Sequence, residues 1–166
     1  MTIHYAPLCR ADSEAFFRLA GDERVAATMR FDCPRTRAQS DQILEDYLAG
    51  ETRTFALRFA PEEPLWGIFS FKVSPDSPLP SLSEMMVPEQ WGRGLGAQVL
   101  HDMLALARKE QWYPALEGYV LEPNTASRRM ALRSGFREAK RLRFDGMTED
   151  LVVYQLCLRD SCPDSM

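Results

Sequence analysis

The sequence predicts a mixed α/β fold, an α+β arrangement with a mostly antiparallel central sheet of about six to seven strands flanked by helices. Three observations carry this. Residues 52–87 alternate in period two and are broken by proline turns, as in a β-meander. A glycine-rich stretch, Gly92-Arg93-Gly94-Leu95-Gly96-Ala97, then opens a segment with apolar residues at helical spacing. Finally, residues 136–158 read as two strands around Asp145-Gly146, a good hairpin dipeptide. At 166 residues the chain suits a single domain spanning 1–166.

Taken in order, Ile3 to Leu8 is a short strand. Asp12-Ser13 can cap a helix through Ala20, with Phe16, Phe17 and Leu19 as its apolar residues and Gly21 as its stop. A short turn over Asp22 to Met29 continues the helical region. Thr36-Arg37-Ala38-Gln39 has the form of a capping box, and the helix it starts carries Ile43, Leu44, Tyr47 and Leu48 and ends at Gly50. Strands follow at Thr52–Phe59 and Leu65–Val73, joined through Pro61-Glu62-Glu63-Pro64 as an antiparallel hairpin. A loop over Pro75 to Pro80 leads to a third strand, Ser81 to Val87, which ends at Pro88. After the glycines, Val99, Leu100, Met103, Leu104, Leu106 and Ala107 mark a helix over 97–109. Ala115–Leu121 is a buried strand, and Asn124 or Thr125 caps a helix through Arg133 that Gly135 stops.

Composition narrows the function classes. Hydrophobic residues at 45% and charged residues at 27% describe a soluble globular chain. A net charge of −4 argues against general nucleic-acid binding. Cys9, Cys33, Cys157 and Cys162 form no C-x-x-C pair, and His4 and His101 are far apart, so no metal site is expected. The thiols read as reduced, which fits a cytoplasmic location. The N-terminus lacks the basic and apolar regions of a signal peptide, and no apolar run reaches membrane-spanning length.

Glycines opening a helix expose backbone N–H groups at the positive end of a helix dipole, a seat for phosphate. A P-loop needs Lys-Ser/Thr after the glycines, and Gly96-Ala97-Gln98 has neither. Gly92-x-Gly94-x-x-Ala97 matches the relaxed dinucleotide pattern. That fold, however, wants parallel strands around the loop and an acidic residue closing the next strand, for which Glu117 and Glu122 are only approximate. A plain tight turn before a core helix is the third reading.

The order of three meander strands, glycine loop, helix, strand, Asn124, helix, Gly135-Phe136 and closing hairpin resembles the GNAT superfamily of acetyl-CoA-dependent N-acetyltransferases. The likeness is clearest over Leu82 to Leu156. The segments Asn124-Thr125-Ala126-Ser127-Arg128-Arg129 and Arg133-Ser134-Gly135-Phe136 resemble the branch that includes ribosomal-protein N-terminal acetyltransferases.

The resemblance implies acetyl-CoA as acyl donor and a primary amine, from a protein N-terminus or a small molecule, as acceptor. A non-catalytic acyl-CoA sensor or interaction module is the alternative. No nucleic acid or membrane partner is implied, and the chain would act as a monomer or homodimer. The CoA pyrophosphate would lie over the amides of Gly92, Arg93, Gly94, Leu95, Gly96 and Ala97. The pantetheine arm would pair like an added strand with Met85, Met86 and Val87, and Asn124 and Ser127 would complete the site. Trp91 departs from the pattern, since the family loop commonly has Gln or Arg there; it reads as a lid over the site or as core filler.

Chemically, the amine attacks the thioester carbonyl and CoA thiolate leaves. A backbone N–H near Met86 or Val87 would polarise the carbonyl. Glu84, two residues before Met86 and on the same face of the strand, is the first candidate base, and its loss is expected to matter most at low pH. Asp145, Glu149 and Asp150 are weaker candidates. The tyrosine that supplies a proton to the thiolate in many members is replaced by Ala131. Ser127 is the residue that resemblance places best to assist instead. A thiol with a pKa near 8.5 is a fair leaving group without a full proton donor. Phe31, Trp66, Phe69 and Met147 line an acceptor pocket or fill core.

Overall fold

The structure, a computed structural model, describes residues 2–29, 31–74 and 77–159; Pro75 at the start of its loop and Cys162 lie outside them. The strands are β1 (His4–Pro7), β2 (Arg53–Arg58), β3 (Gly67–Lys72), β4 (Ser81–Met86), β5 (Ala115–Leu121), β6 (Arg137–Leu142) and β7 (Leu151–Cys157). They make a seven-stranded sheet in the order β1-β2-β3-β4-β5-β7-β6. The helices are α1 (Ser13–Ala20), α2 (Glu23–Ala26), α3 (Arg37–Leu48), α4 (Leu95–Lys109) and α5 (Thr125–Arg133). The mixed, mostly antiparallel sheet with flanking helices is the expected fold class. The chain divides into two compact units, residues 1–73 with 83–96 and residues 74–82 with 97–166.

In the first unit, β1, β2 and β3 form an antiparallel meander, with Pro7 opposite Phe55 and Phe55 opposite Phe69. α1 buries Phe16, Leu19 and Ala20, and with Val25, Leu44, Tyr47, Ala56, Ile68 and Met85 these make one apolar cluster. α3 begins as its sequence dictates. The Thr36 hydroxyl accepts from the Gln39 amide at 3.3 Å, and the Gln39 side-chain oxygen accepts from the Thr36 amide at 3.1 Å. The region from Asp22 to Met29 is helical only over α2, four residues capped by Asp22.

A buried polar chain ties α3 to three strands. The Tyr47 hydroxyl meets Ser83 Oγ at 3.0 Å, and the Thr54 hydroxyl donates to the Tyr47 carbonyl at 2.8 Å and meets Ser70 Oγ at 2.9 Å. Burial pushes the Tyr47 phenol above its ordinary pKa. With Ser83 held by α3 and Met85 inside the apolar cluster, strand alternation turns Glu84 and Met86 to the opposite face.

Gly67 sets how closely β3 approaches β4. A Cβ built on it would lie 2.6 Å from the Met85 carbonyl oxygen and 3.1 Å from Leu57 Cδ1 and Met86 Cγ. Gly67→Ala is therefore expected to lower the unfolding free energy by about 1–3 kcal/mol, the usual cost of overpacking. Urea unfolding measures this; an unchanged midpoint would mean that β4 yields to the extra methyl without cost.

In the second unit, β5 and β7 pair antiparallel from Ala115 opposite Cys157 to Leu121 opposite Leu151. β6 lies on the outer side of β7, with a register shift between Glu138 and Lys140. Ser81 and Leu82 at the start of β4 pair in parallel with Glu117 and Gly118. α4 buries Val99, Leu100, Met103, Leu104 and Ala107, the residues its sequence spacing marks apart from Leu106. Gly135 at φ +90° and Gly146 at φ +85° take the backbone the stop and turn require. The expectation of reduced thiols holds for Cys9 and Cys33 and is corrected at Cys157, which is disulfide-bonded.

Candidate active site

After β4 the chain turns sharply. Pro88 cannot extend a ladder, and residues 88–90 form a single 3₁₀ turn in which the Gln90 amide donates to the Val87 carbonyl and the Trp91 amide to the Pro88 carbonyl. Gly92 and Gly94 follow at φ +70° and +78°, and a Cβ on either would meet nothing within 4 Å. The backbone thus demands glycine at both, and each faces open space. α4 begins at Leu95, so the amides of Leu95, Gly96 and Ala97 belong to the turn of a helix that has no intrahelical acceptor. No acidic side chain stands in that turn. An anion at this position meets N–H groups and the helix dipole without a competing carboxylate.

Arg93, at the rim, donates to the Gln90 side-chain oxygen. Gln90, one place early for the family's polar residue, therefore holds Arg93. Trp91 is not core filler. Its residue is 41% exposed, and its indole Nε1–H donates to the Met86 carbonyl at 2.9 Å. The sequence offered a signal for this, because Trp91 stands where Gln or Arg is common and all three side chains carry an N–H donor.

The end of β4 is also more specific than the sequence reading. The Val87 amide donates to the Trp66 carbonyl at 2.9 Å. Val87 is therefore withdrawn as a carbonyl polariser. Successive peptide groups of a strand point to alternate edges, so the Met86 N–H and C=O face away from β3.

Glu84 is the buried ionisable group of this strand. Its Oε1 is fully buried with no hydrogen-bond partner, although the residue as a whole is partly exposed. Burial pushes the carboxyl up to about 8. An orphaned buried carboxyl is costly and calls for an explanation. Elsewhere in the first unit, a cavity of ≈ 200 Å³ is lined by Ala15, Arg18, Pro64, Leu65, Trp66 and Val87. Of the aromatic pocket candidates, Trp66 and Phe69 are buried at 5% and 1%, and Phe31 packs on the first unit's apolar cluster. A larger cavity of ≈ 410 Å³ includes Arg108 and Gln111, at the far end of α4 from the glycines.

In the second unit, Asn124 is the N-cap of α5, its side-chain oxygen accepting from the Ser127 amide at 3.1 Å. Asp150 is held by Arg143 at 2.6 Å, and Asp145 and Glu149 are exposed. The Tyr154 hydroxyl accepts from Arg128, and the Tyr119 hydroxyl donates to Glu117 at 2.6 Å. Glu117 also accepts from Gln155 at 2.8 Å and Ser77 at 3.4 Å. A carboxylate so fully engaged is not free for a ribose, and Glu122, the other acidic candidate of the dinucleotide reading, is paired with Arg141. Among the described residues no group of His, Cys, Asp and Glu is arranged to hold a metal ion, and no helix is long and apolar enough to cross a membrane.

A mixed sheet of this order, with a glycine-lined helix start following its fourth strand, departs from the parallel sheet of a dinucleotide fold, and its loop lacks the Lys-Ser/Thr of a P-loop. The sequence matches the model of the acetyltransferase (GNAT) domain over residues 3–137, and the chain belongs to that family. By that family it is an acetyltransferase. No curated protein matches the sequence.

Solved structures of similar fold include spermidine N-acetyltransferase from Vibrio cholerae in complex with CoA and spermine, at 14% identity and TM-score 0.79, covering 94% of this chain and 95% of that one. Another is yncA from Salmonella typhimurium with its cofactor acetyl-CoA, at 18% identity and TM-score 0.76, covering all of both chains. A third is a GNAT-family acetyltransferase from Bacillus anthracis, at 15% identity and TM-score 0.78, covering 95% and 96%.

Proposed function

We propose that the chain, as a single acetyltransferase domain over residues 1–166, moves an acetyl group from acetyl-CoA to a primary amine by direct attack. The observation that carries this reading is the Glu84 Oε1, buried without a hydrogen-bond partner two residues before Met86. In this reading Gly92 to Ala97 hold the pyrophosphate, with Arg93 adding charge. The β4 edge at Met85, Met86 and Val87 receives the pantetheine arm, and Asn124 and Ser127 are the further donor-contact candidates that the family resemblance implies.

Glu84 takes the proton that the attacking nitrogen sheds as the C–N bond forms. The Met86 N–H stabilises the negative charge gathering on the carbonyl oxygen. The C–S bond then breaks and its electron pair leaves on sulfur. Ala131 supplies no proton, and the thiolate departs at its own pKa near 8.5.

The acceptor follows from proton affinity. The amine must shed its ammonium proton to the solvent before it attacks, and Glu84 takes only the second proton, lost as the C–N bond forms. A chain-terminal amine, near 7.7–8.0, is partly neutral at pH 7.5, whereas a lysine-type amine near 10.4 is almost wholly charged. This favours an α-amine of a peptide or protein, the acceptor that the α5 segment's likeness to the ribosomal-protein branch also suggests, over a polyamine. The cytoplasm, where acetyl-CoA and nascent chains meet, is the matching location.

An amine panel with mass detection of product tests the reading. Peptides with free N-termini should be acetylated faster than N-blocked lysine peptides or polyamines at pH 7.5. Thermal stabilisation by NAD and not by CoA would sink the reading altogether.

A further inference from the structure

We propose that Trp91 is a positioning residue for the acyl donor: its indole N–H holds the Met86 carbonyl in the orientation in which the β4 edge receives the pantetheine arm. This inference rests on the donor placement given under Proposed function.

The geometry is local to one turn. The main-chain amide of Trp91 is tied to the Pro88 carbonyl at 3.1 Å, and its indole reaches back five residues to the Met86 carbonyl at 2.9 Å. The residue is thereby anchored at its main-chain and its indole N–H while 41% of it stays exposed. Burial of the ring does not account for that placement. The hydrogen bond does.

The bonded carbonyl is also a special one. On the neighbouring residue the peptide N–H is committed to Trp66 across the β3–β4 ladder. Met86 therefore presents the N–H and C=O that remain on the other side of the strand, and an amide-bearing chain adding to that edge must use them. A carbonyl oxygen has two lone pairs. The indole takes one and fixes the peptide plane, and the second stays open for a pantetheine N–H. Fixing that plane also aims the Met86 N–H, the group assigned to the developing oxyanion.

A turn-stapling role alone would change stability and leave donor affinity untouched, so the experiment separates the two. Trp91→Phe keeps an aromatic ring and loses the donor; Trp91→Gln loses the ring and restores a donor. CoA affinity by calorimetry, KM and kcat at saturating amine, and the melting temperature are measured for both and for the parent. Loss of one hydrogen bond of ordinary strength predicts that Trp91→Phe raises the CoA Kd, and KM for acetyl-CoA, by about two- to tenfold. The melting temperature should fall by no more than a few degrees, and Trp91→Gln should return Kd to within about twofold of the parent.

Equal CoA affinity in Trp91→Phe and the parent would overturn the inference. So would a loss that Trp91→Gln fails to restore, since the ring and not its N–H would then be responsible. If the parent itself fails to bind CoA, the donor placement falls, a result distinct from either of these.

Discussion

Gly94→Glu is expected to abolish CoA binding while leaving a folded protein. Gly94 sits at φ +78°, where a side chain costs about 1 kcal/mol or more of backbone strain. No protein atom lies within 4 Å of the new Cβ, so the substitution meets no packing clash. The melting temperature should fall by only a few degrees. The carboxylate, however, projects into the open space before the α4 amides, where it adds bulk and like charge against a pyrophosphate.

Gly50 isolates the strain. It lies at φ +63°, also with nothing within 4 Å of a built Cβ, at the end of α3. Gly50→Glu carries the same backbone penalty, and CoA should bind it as tightly as the parent. Calorimetric titration with CoA decides: a Kd in Gly94→Glu within tenfold of the parent would mean that the pyrophosphate lies elsewhere. Loss of affinity in both variants would assign the effect to general destabilisation.

The contrast between Gly94 and Trp91 explains how much of the site was legible in the sequence. A glycine required by its backbone leaves a mark in the letters, because few other residues tolerate positive φ. Period-two alternation, the capping box at Thr36 and the turn at Asp145-Gly146 are similarly local, and each element they announce is present to within a few residues. What could not be read depends on atoms brought together across the sheet. Val87 loses its candidacy as a polariser because Trp66 lies opposite it, which is a matter of register between β3 and β4. Glu84 is a candidate base from its place on the strand, but that its Oε1 is buried without a partner only the packing reveals. Glu117, a rough match to the acid of a dinucleotide fold, turns out to be saturated by Tyr119, Gln155 and Ser77. Spacing describes what a side chain is, and only packing describes what remains for it to do.

Glu84→Gln tests the chemistry itself, and burial reverses the pH dependence expected from an ordinary carboxylate. With its pKa raised to about 8, Glu84 is largely protonated at neutral pH and becomes a base only above that range. The ratio of parent to variant kcat/KM, in which titration of the amine cancels, should at pH 6 stand up to about a hundredfold below its plateau, because only about one part in a hundred of the carboxyl is then ionised. It should climb through pH 8 to about 10²–10⁴ and then level off, the usual range for a positioned base.

A stability measurement checks the same proton without substrate. In the unfolded chain the carboxyl ionises near 4.5, whereas the folded protein keeps its proton to about 8. Between these values the native state binds the extra proton, so parent stability falls as pH rises and levels off above the folded pKa. The neutral amide of Glu84→Gln has no such dependence. Urea unfolding should therefore show the variant gaining on the parent from pH 5 to pH 8, by on the order of a few kcal/mol at most. A flat stability difference with a flat activity ratio would show that Glu84 is ionised in the folded protein and is not the base. A sloping stability difference with a flat activity ratio would keep the buried proton and move the base to another residue or to water.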